Sequence, residues 1–263
     1  VKAIPKKSLG QNFLIDRNII EKIIKITKIQ NKNILEIGPG TGNLTEYILQ
    51  EKPNYLTVIE KDENLCQKLL MRFKDKIKII NNDILKENFE VINSNKKFTV
   101  FGNLPYNIST EIICRWVLNL KENYWFDELV LMFQKEVADR IIAKENTSQF
   151  GRLAILMNWR LNIKKVFDIG PNSFSPKPKI DSSVLHFSPK NNFQRFKNSK
   201  SIEIVTRTFF NQRRKMIKNP LKQLFKNPKE ISNKLNIDLN LRPQNLSILK
   251  FYEIISEYEK LRS

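Results

Sequence analysis

The chain has 263 residues, 41% of them apolar, enough to bury a full core and to divide into one large domain and a small one. A formal charge of +19 points to a polyanionic partner, nucleic acid ahead of a membrane surface. One histidine and two cysteines exclude a usual zinc site and argue against Ser–His or Cys–His nucleophilic chemistry. No apolar run is long enough to span a bilayer, no signal peptide is expected, and the scattered Cys66 and Cys114 fit a reduced cytoplasm.

Lys2 to Leu14 is basic, then polar, and reads equally as a frayed tail or as a lid anchored by Leu14. Asp16 can cap a helix whose Ile19, Ile20, Ile23 and Ile24 form one stripe. Ile34 to Ile37 is a short apolar run, as expected of a parallel strand covered on both faces. Gly38, Gly40 and Gly42 follow at once, and Asn43-Leu-Thr-Glu-Tyr-Ile-Leu resumes with helical spacing. A ligand beyond the strand's carboxyl end would meet bare backbone there. The spacing misses the dinucleotide fingerprint, because position 43 is asparagine rather than glycine. The expected ligand therefore carries a ribose but no diphosphate.

Tyr55 to Glu60 is a second strand, ending in a carboxylate about twenty residues past the glycines, where an acid commonly holds ribose hydroxyls. A helix over Glu63–Phe73 leads to a third strand, Ile77 to Asn81, and then to Asp83. Asp83 reads either as an acceptor for an adenine amino group or as an ordinary cap. The fourth strand, Phe98 to Gly102, ends in Asn103-Leu104-Pro105-Tyr106. Pro105 has no N–H and pushes Leu104 into an extended conformation. The Leu104 carbonyl beside the Asn103 amide then offers two acceptors to an exocyclic amino group, and Tyr106 can stack on the base that bears it.

Ser109 can cap a helix with Ile112, Ile113, Trp116 and Val117 facing inward, and a fifth strand covers Leu129 to Phe133. Helices are expected over Glu136–Lys144 and Arg152–Trp159. Two further strands, Lys164–Ile169 and Ser182–Phe187, flank a proline-stiffened loop from Pro171 to Lys179. The aromatic in that loop, Phe174, is either a loop anchor or a stacking platform. His186 sits in the run Val-Leu-His-Phe and reads as a strand residue. The repeated alternation of strand and helix implies an α/β fold with a right-handed parallel sheet.

From Lys190 the texture changes to short helices, so the expected boundary separates residues 1–189 from 190–263. The second part carries 17 Lys and Arg against 6 acids, net +11, leaving +8 for the first. Ile204 to Lys229 holds eight basic residues and no acid. Arg213, Arg214 and Lys215 are expected to spread around a helix, with Lys218 and Lys222 on the same outward side, and Asn219-Pro220 to break it. A solvated face usually mixes signs, so contact with a nucleic-acid backbone is the better reading.

Taken together, these residues suggest a nucleoside site beside a second site for an amino group. S-adenosylmethionine with a nitrogen acceptor is the economical interpretation. Methyl transfer from a sulfonium is a direct displacement that needs alignment more than acid–base help. An adenine amino nitrogen has its lone pair delocalised into the ring. Acceptors on both N–H bonds, Asn103 and the Leu104 carbonyl, would favour a geometry aimed at the methyl. The base would have to leave its stack, sandwiched by Tyr106 and Phe174.

The motifs Ser-Leu-Gly-Gln-Asn-Phe-Leu (8–14), Glu-Ile-Gly-Pro-Gly-Thr-Gly-Asn-Leu-Thr (36–45) and Asn-Leu-Pro-Tyr-Asn-Ile-Ser-Thr (103–110) resemble the KsgA family of small-subunit rRNA adenine N6-dimethyltransferases. So do Phe-Ser-Pro-Lys-Pro-Lys-Ile-Asp-Ser (174–182), Asn-Gln-Arg-Arg-Lys (211–215) and Arg-Pro-Gln-Asn-Leu-Ser (242–247). The resemblance implies a Rossmann-like seven-stranded methyltransferase sheet with a small C-terminal helical, rRNA-binding domain. It implies dimethylation of two adjacent adenosines near the 3′ end of 16S rRNA, on a pre-30S particle in the cytoplasm, by a monomer that needs neither metal nor membrane. It also implies that Asn12, Leu14, Gly38, Glu60, Asp83 and Asn103 contact or border the cofactor, and Gly40 joins them from the glycine turn. Two rivals remain: the similar 23S rRNA methyltransferases of macrolide resistance, and a non-catalytic assembly or transcription factor of the same fold.

Overall fold

The computed structural model describes residues 10–87 and 96–262. The basic start of the chain, including Ser8 and Leu9 of the first motif, lies outside the described residues. The chain forms two compact units. One takes in the chain up to Ile113, then Leu120–Ala138 and Ile163–Pro189; the other takes in Cys114–Asn119, Asp139–Asn162 and the chain from Lys190 on.

The first unit is built on a sheet of seven strands. In chain order its elements are β1 (Phe13–Leu14), α1 (Arg17–Ile24), β2 (Asn33–Ile37), α2 (Asn43–Gln50), β3 (Tyr55–Glu60), α3 (Glu63–Phe73), β4 (Lys78–Asn81) and β5 (Phe98–Asn103). Then come α4 (Ser109–Leu118) and, after β6 (Phe126–Gln134), α5 (Lys135–Ile141), both of which only begin in this unit, then β7 (Leu161–Ile169), all but its first two residues, β8 (Phe174–Ser175) and β9 (Ser182–Pro189). The large sheet has the order β4-β3-β2-β5-β6-β9-β7. Strands β2 to β6 pair in parallel, as the alternation predicts, and β9 runs antiparallel to β6.

The central strands are apolar almost throughout because helices cover both faces. Ile34, Leu35, Val58, Val100 and Phe101 are fully buried, each such side chain contributing about 1.5–3 kcal/mol. Helix α1 starts where expected: the Asp16 carboxylate accepts from the backbone N–H groups of Asn18 and Ile19, and Ile20, Ile23 and Ile24 turn inward.

The chain runs from β2 outward through β3 and β4, then returns to place β5 on the other side of β2. That reversal leaves a crevice beyond the carboxyl ends of β2 and β5, where open α/β sheets bind ligands. Ile37 lies opposite Gly102 in this pair, so the glycine turn and the Asn103 segment leave the sheet side by side.

The second unit is helical: α6 (Arg152–Arg160), α7 (Lys200–Phe210), α8 (Lys218–Leu224), α9 (Pro228–Leu235) and α10 (Ile248–Lys260). Its core is aromatic. Phe210 stacks on Phe251 with ring centroids 5.6 Å apart, and Phe209 and Phe150 meet Phe251 at 5.3 and 6.5 Å. The Tyr252 hydroxyl donates to the Ile155 carbonyl at 3.0 Å, satisfying a buried polar group.

Two local expectations fail here. Helix α7 ends at Phe210, so Arg213, Arg214 and Lys215 lie in a turn rather than around a helix. The chain bends there because Ile217 is buried and the Ile217 and Lys218 amides bond to the Leu241 and Leu239 carbonyls. Pro220 does not break a helix either; it sits in the first turn of α8, where a missing N–H costs nothing.

Candidate active site

Three positive φ angles shape the glycine turn: Gly38 at +65°, Gly40 at +58° and Gly42 at +81°. A Cβ at Gly40 would lie 2.6 Å from the Phe13 ring, and one at Gly42 would lie 2.6 Å from Phe73. Both close approaches therefore require glycine. The Gly38 Cβ position is 3.6 Å from the Asn103 carbonyl oxygen, so the two strand ends do meet.

The resulting cleft holds about 1220 Å³ of space, part of it open to solvent, and its walls include Asn12, Leu14, Gly38, Gly40, Glu60 and Asp83. Asn103, Leu104 and Tyr106 also line it. Glu60 is buried. One carboxylate oxygen accepts from the Gly40 N–H at 3.2 Å and the other from the Asp62 N–H at 2.9 Å. Burial pushes its pKa up, while those amide donors pull it back. Each oxygen keeps a further lone pair for a ligand hydroxyl.

The cap reading of Asp83 holds, and the residue also stands in the cleft. Its Oδ1 accepts from the Leu85 N–H at 3.0 Å, and Oδ2 binds the Lys61 ammonium at 2.8 Å. That ammonium holds its pKa below the usual carboxylate range.

The segment before Asp16 is a strap across the cleft. Its two strand residues pair antiparallel with β8, Phe13 opposite Ser175 and Leu14 opposite Phe174. The Asn43 side-chain amide donates to the Leu14 carbonyl at 2.8 Å, and the Ile15 N–H to the Ser173 carbonyl at 2.9 Å. The Asn103 Nδ2 donates to the Asn12 carbonyl at 2.7 Å. This bond orients the amide: its nitrogen is engaged by the strap, and Oδ1 is the atom left for a ligand.

The Tyr106 hydroxyl is 2.5 Å from the Ser182 Oγ, and burial pushes its pKa up. Ser182 itself is fully buried at the start of β9, so it fixes the far end of the tyrosine ring.

Of its two expected readings, Phe174 takes that of a loop anchor, and its place in a base sandwich is not supported. It is 3% exposed, packed with Leu14 and Ile169 in the hydrophobic core, and is not among the residues lining the cleft. Its ladder with the strap makes it an anchor of the proline loop rather than a stacking surface.

Among the cleft residues not singled out from the sequence is a buried carboxylate. Glu36 is 2% exposed, lines the cleft, and accepts from the Thr45 hydroxyl at 2.7 Å. Burial, reinforced by the nearby Glu60 charge and opposed by Thr45, pushes its pKa up to about 8. Its only sequence signal is a carboxylate between Leu35 and Ile37 in a strand covered on both faces.

In the helical unit, Arg213 is half-buried and donates to the Ser148 carbonyl and, at 3.4 Å, to Gln244 Oε1. It serves as a tie within that unit. Arg214, Lys215, Lys218 and Lys222 are exposed, and among the described residues none of their side chains has a carboxylate or hydrogen-bond partner. Among the described residues no group of three or more His, Cys, Asp or Glu could hold a metal ion, and no helix is long and apolar enough to cross a membrane.

The ribosomal RNA adenine dimethylase family matches residues 4–260. Ribosomal RNA small subunit methyltransferase A of Pelagibacter ubique (strain HTCC1062) is 60% identical over 257 residues, covering 98% of this chain and 98% of its own. A solved dimethyladenosine transferase from Plasmodium falciparum superposes with a TM-score of 0.76 at 25% identity, covering 94% of this chain and 98% of its own. The 23S rRNA methyltransferase ErmE, at 22% identity and a TM-score of 0.66 over 93% of this chain and 100% of its own, shares the fold. The methyltransferase sheet, the Asn-Leu-Pro-Tyr segment at the end of its β5 strand and the match over almost the whole length agree: the chain belongs to the ribosomal RNA adenine dimethylase family.

Proposed function

We propose that this chain uses S-adenosylmethionine to dimethylate N6 of two adjacent adenosines near the 3′ end of 16S rRNA. It does so as a monomer, on a precursor of the small ribosomal subunit in the cytoplasm. The observation that carries the reading is the Asn103 amide, tied by its nitrogen to Asn12 beside the cleft that Gly38 and Glu60 bound.

The cleft fits the cofactor. Gly38 and Gly40 present backbone without side chains, Glu60 has lone pairs for a ribose diol, and Asp83 has one for an adenine amino group. Among the described residues Lys61 is the one basic side chain of the lining and is paired with Asp83, which suits an adenosine without a diphosphate. When bound there, the cofactor supplies an electrophilic methyl group.

The chain's own residues then do the aligning. Asn103 Oδ1 and the Leu104 carbonyl accept the two N–H bonds of the adenine amino group, which turns its lone pair out of conjugation. Tyr106, its hydroxyl held by Ser182, stacks on the extruded base. Arg214, Lys215, Lys218 and Lys222 bind rRNA phosphates.

The test is incubation with labelled S-adenosylmethionine and unmethylated 30S subunits, followed by mapping of the label. Two adjacent dimethyladenosines near the 16S 3′ end are expected. Label in 23S rRNA alone would favour the macrolide-resistance reading, and binding without label would favour an assembly factor.

A further inference from the structure

A second concavity opens at the other end of the sheet, around the amino ends of β2, β3 and β4. Leu49, Leu56 and Phe73 contribute an apolar floor, and exposed lysines 52, 76, 78 and 96 stand around it. Of its two acids, Glu46 is bound by Arg72 at 2.5 Å, which leaves Asp75. Among the described residues the side chains of Lys52, Lys76 and Lys78 have no carboxylate or hydrogen-bond partner. Tyr55 opens β3 here with 57% of its surface exposed, and the Lys96 ammonium lies 4.9 Å from its ring centroid.

An exposed ring among unpaired cations in a groove is the arrangement that binds single-stranded nucleic acid: lysines follow the backbone and the aromatic face receives a base. An acidic protein segment would use the lysines but has no need of the ring. The first 189 residues carry +8, and the single lysine of the cofactor cleft among the described residues, neutralised by Asp83, accounts for none of that excess. Tyr55 and Glu60 are the two ends of one strand, about 17 Å apart at the usual rise per residue, a span that a folded rRNA segment easily covers.

The geometry points to a second rRNA contact in this groove, remote from the methylated base: a single-stranded stretch whose phosphates lie along Lys52, Lys76 and Lys78 and one of whose bases stacks on Tyr55. This rests on the proposed reading that the chain acts on rRNA.

The experiment measures binding of the full chain to unmethylated 30S subunits and to protein-free 16S rRNA across a range of salt, without turnover. Tyr55→Ala should weaken binding to both by about tenfold, and Tyr55→Phe should retain it. The triple change Lys52→Glu, Lys76→Glu, Lys78→Glu should weaken both and reduce the salt slope by about 2. S-adenosylmethionine affinity and the thermal midpoint should stay as in the wild type. If the triple variant fails to fold, the tyrosine pair decides alone. Wild-type affinity in Tyr55→Ala and in a folded triple variant overturns the contact. So does a loss confined to 30S subunits, which would assign the groove to a ribosomal protein. A wild-type chain that binds neither target instead overturns the rRNA reading itself.

Discussion

Replacing Glu36 by glutamine should remove a pH dependence from the stability of the cofactor-free chain. In the unfolded chain this carboxyl titrates near 4.5, whereas burial holds it protonated up to about 8 in the fold. Between those values the folded state binds more protons than the unfolded state. The stabilisation is therefore complete below pH 4.5 and is lost as pH rises toward 8. At about 1.4 kcal/mol per pH unit, the interval from about pH 5.5 to about pH 8 removes about 3 kcal/mol, an upper figure because water entering an open cleft relaxes the burial penalty. Urea unfolding of wild type and Glu36→Gln at both pH values reads this directly. The wild type should lose stability relative to the variant by about 2–3 kcal/mol over that interval. A difference between the two proteins that stays flat would mean Glu36 is ionised in the fold, and the account of a dry cleft wall would fail.

Asn103→Ala removes the 2.7 Å bond to the strap, about 1 kcal/mol, so cofactor affinity measured by calorimetry should fall about fivefold. Turnover on 30S subunits should fall by about a hundredfold or more, and undiminished turnover would refute the amino-group role. Gly40→Ala meets both a φ of +58° and the Phe13 ring, so the strap should lift and cofactor binding weaken by about tenfold or more, again by calorimetry. In the helical unit, Arg213→Ala should lower the thermal midpoint through loss of its ties to Ser148 and Gln244, about 1 kcal/mol, while Arg214→Ala leaves it unchanged. Reversing Arg214, Lys215 and Lys218 to glutamate should instead weaken 30S binding and flatten its salt dependence.

The centre of the sheet was legible because β2, β3 and β5 are apolar on both faces and lead into Gly38, Glu60 and Asn103, each a local signal. The strap was not. Two residues of β1 pair with two of β8 across some 160 positions, and nothing at either end encodes that meeting. The same ladder explains Phe174: an aromatic in a polar, proline-rich loop looks unattached until Leu14 is placed against it. Glu36 was overlooked because its role depends on Thr45 and Glu60, which reach it only through the turn and the neighbouring strand. The basic run at 213–215 gave the right composition and the wrong local shape, since helix α7 stops where Ile217 must be buried.

On the proposed function, the Asn12–Asn103 bond would make door and trigger one part. On that reading, if cofactor exchange opens the strap, it would also release the amide that accepts from the substrate nitrogen. Adding two methyl groups to one nitrogen requires such an exchange between them. The half-finished base would then wait in a disarmed enzyme, free to slip out, until the doorway shuts again.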